Sequence, residues 1–123
     1  MTDDVMTLFQ PAVSQWFAET FAEPTPPQLL GWPHIAAGEN TLILSPTGSG
    51  KTLAAFLCAI DSAIRSEAAD ESRGAGVHTL YLSPLKALAN DIERNLVQPL
   101  EGIRACSARL GDPIPDIRVG IRT

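Results

Sequence analysis

A cluster of small, polar and basic residues between positions 45 and 52 has the composition of a phosphate-binding loop. A triphosphate concentrates negative charge in a small volume, so several hydrogen-bond donors must converge on it. The backbone N–H groups of a glycine-rich loop, together with the N-terminus of a following helix, provide such donors. The residues expected to bind the phosphates are Ser45, Pro46, Thr47, Gly48, Ser49, Gly50, Lys51 and Thr52.

Individual residues of this loop suit different parts of a nucleotide. Gly48 and Gly50 can adopt a positive φ, which lets the phosphates approach the main chain. The Lys51 ammonium can reach the β- and γ-phosphates, and the Thr52 hydroxyl can ligate Mg²⁺. The sequence therefore predicts ATP and Mg²⁺ as cofactors, with Thr52 as the metal ligand.

The loop departs at one position from the usual G-x-x-x-x-G-K-[ST] pattern, because Ser45 stands where the first glycine is expected. The flanking elements still support the interpretation. Residues 41–44 form a short apolar run typical of a buried strand, and the apolar residues after Lys51 repeat with helical spacing. The alternative is a surface turn rich in glycine and serine that is followed by a helix, but Gly-Ser-Gly-Lys-Thr at this junction has few structural reasons to exist.

The chain alternates apolar runs with helical patterns, which indicates an α/β fold. Residues 41–44, 78–82 and 117–121 are predicted strands, and helices are predicted after the phosphate loop and after residue 84. Pro99 is expected to end or kink the second of these helices. Such an alternation forms a parallel sheet through right-handed crossovers. We expect this sheet to be truncated after about three strands, with flanking helices.

Two parts are expected along the chain. Residues 1–40 form an N-terminal helical segment, in which one helix covers about 26–37, and residues 41–123 form a partial nucleotide-binding domain. Because a three-stranded sheet leaves its helices poorly covered, Phe56 or Ile60 is expected to remain partly exposed.

Composition argues against several other classes of protein. The net charge is −5 and the first 50 residues contain no Lys or Arg, so any contact with nucleic acid must be local and lie from Lys51 onward. Cys58 and Cys106 have no metal-ligand spacing, and we expect reduced core thiols. Because we find no signal peptide and no apolar run of membrane-spanning length, we predict a cytoplasmic location and no membrane partner.

The phosphate loop and a stretch before it resemble motifs of superfamily 2 (DEAD/DEAH-box-like) ATP-dependent helicases. Residues 45–52 resemble motif I, and residues 21–28 resemble the Q motif, in which a glutamine reads adenine. The resemblance implies that Thr25 and Gln28 bind the nucleotide. A carboxamide offers adenine both a donor and an acceptor, and Gln28 lies 23 residues before Lys51. An exposed glutamine at a helix start is the alternative.

Two later stretches resemble motifs that contact a nucleic-acid strand. Residues 83–91 resemble motif Ia, which binds the sugar–phosphate backbone, and residues 119–123 resemble the start of motif Ib. A solvated helix face with one lysine is the alternative for the first stretch. The predicted nucleic-acid contacts are Ser83, Pro84, Lys86, Arg122 and Thr123.

Several short stretches are most similar to the large helicase-related (Lhr-type) DNA helicases. They are residues 32–33, 53–57 and 83–88, within a resemblance that covers roughly residues 9 to 123. It implies the N-terminal part of a first RecA-like domain, which binds single-stranded or duplex nucleic acid, with DNA favoured over RNA. The remainder of a helicase chain is the other expected partner. ATP hydrolysis would then drive translocation along a single strand.

No catalytic residue is identified in the sequence. The resembling family uses an Asp-Glu pair to hold Mg²⁺ and to position the attacking water. The Asp70-Glu71 pair follows no apolar run, so we interpret it as a solvated pair and expect these residues alone to be inactive. A P-loop kinase and a non-catalytic nucleotide-binding fragment remain as alternatives. The loop follows two predicted helices, whereas small kinases usually begin with it, and this order favours the helicase.

Overall fold

The structure is a computed structural model that describes residues 5–46, 50–69 and 76–122. Its helices are α1 (Pro11–Thr20), α2 (Pro26–Ala36), α3 (Lys51–Ala69), α4 (Leu85–Ile92), a π-helical segment (Glu93–Val97) and α5 (Gln98–Leu110). The residues of the sequence predictions that lie outside the described ranges are Thr47, Gly48, Ser49, Asp70, Glu71 and Thr123.

The three segments predicted as strands form no sheet within the described part of the chain. Residues 41–44, 78–82 and 117–121 make no β-ladder with any other described segment. Apolar content suits a segment to a sheet, but a strand also requires a neighbour that pairs with its N–H and C=O groups. The predicted parallel sheet of about three strands is therefore not confirmed.

These segments nevertheless turn one side toward the helices. Ile43 and Ile117 pack against the core, and the ring centroids of Tyr81 and Phe56 lie 4.6 Å apart. The neighbouring leucines face away from the core, as side chains on opposite faces of a strand do. These exposed residues are Leu42, Leu44, Leu80 and Leu82.

The hydrophobic core lies between helices α1, α2, α3 and α5. The predicted helical spacing after Lys51 is confirmed, because α3 directs Leu53, Leu57 and Ile64 into this core. The expectation that Phe56 or Ile60 stays partly exposed was wrong, since both are buried. The Tyr81 ring lies against Phe56 in a tilted arrangement and contributes to the burial of that side chain.

Trp32 of α2 occupies the centre of the core and is fully buried. Its ring centroid lies 5.0 Å from that of Phe9 and 5.3 Å from that of Phe17, both in edge-to-face geometry. The indole Nε1 donates a hydrogen bond to the Ala54 carbonyl, with an N···O distance of 3.0 Å. Helix α2 is thereby attached to the first turn of α3, which directly follows the phosphate loop.

A buried carboxylate attaches the N-terminal segment to α3. Asp61 accepts one hydrogen bond from the Gln10 backbone N–H at 2.9 Å and another from Arg65 Nε at 2.8 Å. Arg65 also donates to the Leu8 carbonyl at 3.0 Å. A buried charge is tolerated when it is paired and hydrogen-bonded, and both conditions are met here.

Helices α1 and α5 pack closely at a glycine and are joined by an ion pair. A Cβ atom placed on Gly102 would overlap the Trp16 indole, so this contact requires glycine. Arg109 holds both carboxylate oxygens of Glu19, at 3.0 and 2.6 Å. The pKa of Glu19 is lowered to about 2, mainly because Arg109 donates hydrogen bonds to its carboxylate.

Pro99 does not end the helical run, so the predicted end is wrong, while the kink predicted as the other outcome stays a prediction. The backbone passes through the π-helical segment, where the Gln98 N–H bonds to the Glu93 carbonyl five residues earlier. A proline ring crowds the carbonyl four residues before it in an α-helix. The wider turn just before Pro99 accommodates the ring, and α5 continues to Leu110.

Both cysteines are buried free thiols, as predicted. The pKa of Cys58 is raised to about 12, mainly because burial removes the thiol from water. In the described ranges, no helix combines the length and the apolar character that crossing a membrane requires.

Candidate nucleotide-binding site

The end of α2 directs the chain toward the phosphate loop. Gly38 adopts φ +80°, and the Glu39 N–H bonds back to the His34 carbonyl at 3.0 Å. This is the usual glycine stop of a helix, in which a left-handed residue lets the chain reverse. The turn at 38–40 leads residues 41–46 past α2 to the loop.

Gln28 joins the start of α2 to the phosphate loop. Its Oε1 accepts a hydrogen bond from the Thr25 N–H at 2.9 Å, and its Nε2 donates to the Gly50 carbonyl at 3.2 Å. The side chain is 3% exposed, so the alternative of an exposed glutamine is wrong. A carboxamide has a second N–H and a second lone pair, which leaves Gln28 able to hydrogen-bond a base as well.

Gly50 occupies a position that only glycine fits. Its φ of +80° lies in the left-handed region that side chains disfavour, as the loop prediction required. A Cβ at this position would also lie 2.5 Å from Gln28 Nε2 and 3.3 Å from Thr25 Oγ1. The phosphate loop and the Q-motif-like stretch are therefore in direct contact.

Lys51 and Thr52 open α3 immediately after the loop. The Lys51 Nζ donates a hydrogen bond to the Ser45 carbonyl at 2.9 Å, so the ammonium lies beside the first residue of the predicted loop. Both residues are half-buried and line a cavity of 520 Å³ with Ile43 and Tyr81. This donor set fits a Mg²⁺–triphosphate, because it combines a cation, a hydroxyl and a helix N-terminus.

The predicted nucleic-acid contacts fall on two separate segments. Pro84 precedes α4, and Lys86 is exposed in its first turn, while Ser83 is half-buried. These three residues are brought together by the start of the helix. Arg122 is exposed on the 117–122 segment, where its guanidinium donates to the Ile121 carbonyl at 3.2 Å.

Sequence reasoning missed the hydrogen bond that joins Tyr81 to the motif Ia stretch. The Tyr81 hydroxyl donates to Asp91 at an O···O distance of 2.7 Å. The available signal was the single tyrosine of the sequence, which lies two residues before Ser83 in an otherwise aliphatic run. Within the described residues, no group of three or more His, Cys, Asp or Glu side chains could hold a metal ion.

Comparisons with known proteins identify a family model, curated relatives and a solved structure that match most of the chain. The sequence model of the DEAD/DEAH box helicase family matches residues 25–120. A curated relative, the Lhr helicase/probable uracil glycosylase of Mycolicibacterium smegmatis, is 51% identical over 120 residues, which are 98% of this chain and 8% of that protein. The ATP-dependent helicase Lhr-Core of Sulfolobus acidocaldarius is 45% identical over 121 residues, 98% of this chain and 13% of that protein.

A solved structure is also similar. The Mycobacterium smegmatis helicase Lhr, bound to ssDNA and AMP-PNP, superposes with a TM-score of 0.80 and 48% identity over 96% of this chain and 14% of that chain. The chain thus spans 8 to 14% of the length of these relatives. Since the family match at residues 25–120 covers most of the sequence, the chain belongs to the DEAD/DEAH box helicase family.

Proposed function

We propose that these residues are the nucleotide-binding part of the first RecA-like domain of an ATP-dependent DNA helicase. The observation that carries the proposal is the buried Gln28 carboxamide, which bonds to the Gly50 carbonyl of the phosphate loop at 3.2 Å. This bond makes the base-reading segment and the phosphate-binding loop one unit. The similar M. smegmatis structure holds AMP-PNP and ssDNA, which supports pairing an adenine nucleotide with a DNA strand.

Different residues of the site would bind different parts of Mg²⁺–ATP. Lys51 would exchange the Ser45 carbonyl for the β- and γ-phosphates, and the Thr52 hydroxyl would hold Mg²⁺. Gln28 would present its remaining donor and acceptor to adenine. When bound, Mg²⁺ neutralises charge that develops on the phosphates. The remainder of the helicase chain would supply the carboxylate pair for hydrolysis.

The boundary near residue 40 is proposed as a functional division. Residues 1–40 would read the base, and residues 41–123 would hold the phosphates and contact the strand. Both parts share one core, because Trp32 of α2 bonds to Ala54 of α3. A substitution in that core should therefore change both the recognition of the base and the affinity for the phosphates.

The proposal is tested by measuring ATP hydrolysis of the complete protein with and without single-stranded DNA, and with RNA of the same sequence. We expect hydrolysis to rise with either strand and to rise more with DNA. A rate of ATP hydrolysis that does not change when nucleic acid is added would favour a P-loop kinase or another NTPase instead. Absence of hydrolysis with retained ATP binding would favour the non-catalytic alternative.

Replacing Gln28 with alanine is expected to reduce the preference for ATP over GTP more than it reduces triphosphate affinity. Guanine presents O6 and N7 as acceptors, so a carboxamide matched to adenine distinguishes the two bases. Competition between the two nucleotides for the complete protein measures this preference. The exposed glutamine of α1 provides a control, Gln15→Ala, which should change neither quantity. If Gln28→Ala discriminates as well as the parent, this residue does not read adenine.

Replacing Lys86 with alanine is expected to weaken single-strand binding equally for all base sequences. Lys86 is exposed in the first turn of α4, where a cation can pair with a phosphate. Phosphate contacts carry no base information, and losing one should reduce the salt dependence of binding by roughly one unit of slope. Titrations of two unrelated DNA sequences at several salt concentrations measure both effects. A loss confined to one sequence contradicts the assignment.

A further inference from the structure

We infer that Tyr81 and Asp91 are positioning residues that connect the phosphate-loop helix α3 to the Ser83–Pro84 turn. The inference rests on the proposed function, which assigns this turn to a DNA strand. It adds a physical route by which the nucleotide site and the strand-binding turn influence each other.

Tyr81 contacts two helices at once. Its ring centroid lies 4.6 Å from that of Phe56, a buried residue five positions after Lys51 in α3. Its hydroxyl donates a hydrogen bond to Asp91 of α4 at 2.7 Å. The flanking residues Leu80 and Leu82 are exposed, so Tyr81 is the side chain through which residues 80–82 reach the helices.

Asp91 extends this contact to the turn. The same carboxylate oxygen that accepts from Tyr81 lies 3.4 Å from the Ser83 hydroxyl. None of the residues of α4 is buried, so hydrophobic packing holds this helix only weakly. Hydrogen bonds to an ionised acceptor are stronger than those between neutral groups. The hydroxyl–carboxylate pair therefore adds a direct contact between residues 81–83 and α4, which is otherwise placed by its continuous helical connection to α5.

The cluster also borders the nucleotide site. Tyr81 lines the 520 Å³ cavity whose other side includes Lys51 and Thr52. Burial, and then Asp91, raise the pKa of Tyr81, so its hydroxyl remains a proton donor at neutral pH. Contacts thus continue from α3, the helix that begins with Lys51, through Phe56 and Tyr81 to Asp91 and the turn, and such a chain of packed and hydrogen-bonded side chains can carry coupling between two sites.

The test uses the complete helicase and varies the DNA concentration in an ATPase assay. Tyr81→Phe keeps the ring on Phe56 and removes only the hydroxyl, and Asp91→Ala removes the acceptor. We expect each variant to need about fivefold more single-stranded DNA for half-maximal stimulation. The kcat at saturating DNA and the melting temperature should stay near the parent values. A residue that served only stability would lower the melting temperature and leave the DNA requirement unchanged.

Two further variants make the result specific. Asp91→Asn keeps an oxygen acceptor but loses the charge, so it should recover only part of the parent DNA requirement, while Glu93→Ala removes a nearby negative charge and should change nothing. If the Tyr81→Phe and Asp91→Ala enzymes match the parent in DNA requirement, this inference is overturned and the proposed function is not affected. A parent enzyme that DNA does not stimulate would overturn the proposed function and this inference together.

Discussion

Replacing Lys51 with alanine is expected to weaken ATP binding about tenfold or more. A hydrogen bond to a charged group contributes about 1.5–3 kcal/mol, and a tenfold change corresponds to about 1.4 kcal/mol. The Lys51 ammonium lies at the first residue of the loop, 2.9 Å from the Ser45 carbonyl. Because alanine is a strong helix former, the first turn of α3 should persist in the variant. Titration of the complete protein with a fluorescent ATP analogue measures the dissociation constant.

The sequence offers a matched control for this experiment, since Lys51 and Lys86 are its two lysines. Lys86→Ala removes the same charge from the first turn of a different helix, and ATP affinity should be unchanged. The pair of variants separates the two binding functions, because each lysine should affect one ligand and spare the other. A folded Lys51→Ala protein with parent ATP affinity would show that the loop does not bind phosphate as proposed.

Replacing Trp32 with alanine is expected to lower the free energy of unfolding by about 3–5 kcal/mol, the usual cost of removing a large aromatic side chain from a core. Trp32 is fully buried between Phe9 and Phe17, so the surrounding rings would lose contacts on both sides. Its hydrogen bond to the Ala54 carbonyl would also be lost. Since typical domains are stable by only about 5–15 kcal/mol, this change is severe.

Chemical denaturation of the parent and variant proteins measures this loss. Leu30→Ala on the same helix is the control, because Leu30 is 74% exposed and its truncation should cost about 0.5 kcal/mol or less. Trp32→Phe should lie between the two, since it keeps an aromatic ring and loses the indole donor. Equal stability of the Trp32→Ala and Leu30→Ala proteins would refute the central role of Trp32.

The helices could be predicted from the sequence because their signals are local. The spacing of apolar residues after Lys51 predicted α3. A proline at the start of α2 and a glycine just after its end marked the limits of that helix. The strand predictions rested on apolar content, which indicates burial but not pairing. Pairing depends on segments distant in the sequence, and residues 41–44 have no paired neighbour among the described residues. The π-helical turn before Pro99 was also missed, because proline normally predicts an interruption.

The candidate site was predicted in part. Motif spacing identified Gly50 and Gln28, and the structure brings them into contact through a hydrogen bond. The spacing could not show that Gln28 is buried, since that depends on how α2 packs against α3. The Tyr81–Asp91 hydrogen bond could not be predicted for the same reason. Its two residues lie in different elements, and their contact depends on how those elements pack. Mg²⁺ binding by Thr52 stays a prediction.

Burial of both native thiols simplifies fluorescent labelling of this region. Alkylating dyes react with the thiolate, and the pKa of Cys58 is raised to about 12, so very little thiolate exists at neutral pH. Cys106 is 2% exposed, which hinders access by a bulky reagent. A cysteine introduced at the exposed Leu82 would therefore be the reactive thiol of this segment. A dye attached there would sit beside the Ser83–Pro84 turn and could report DNA arrival without prior removal of either native cysteine.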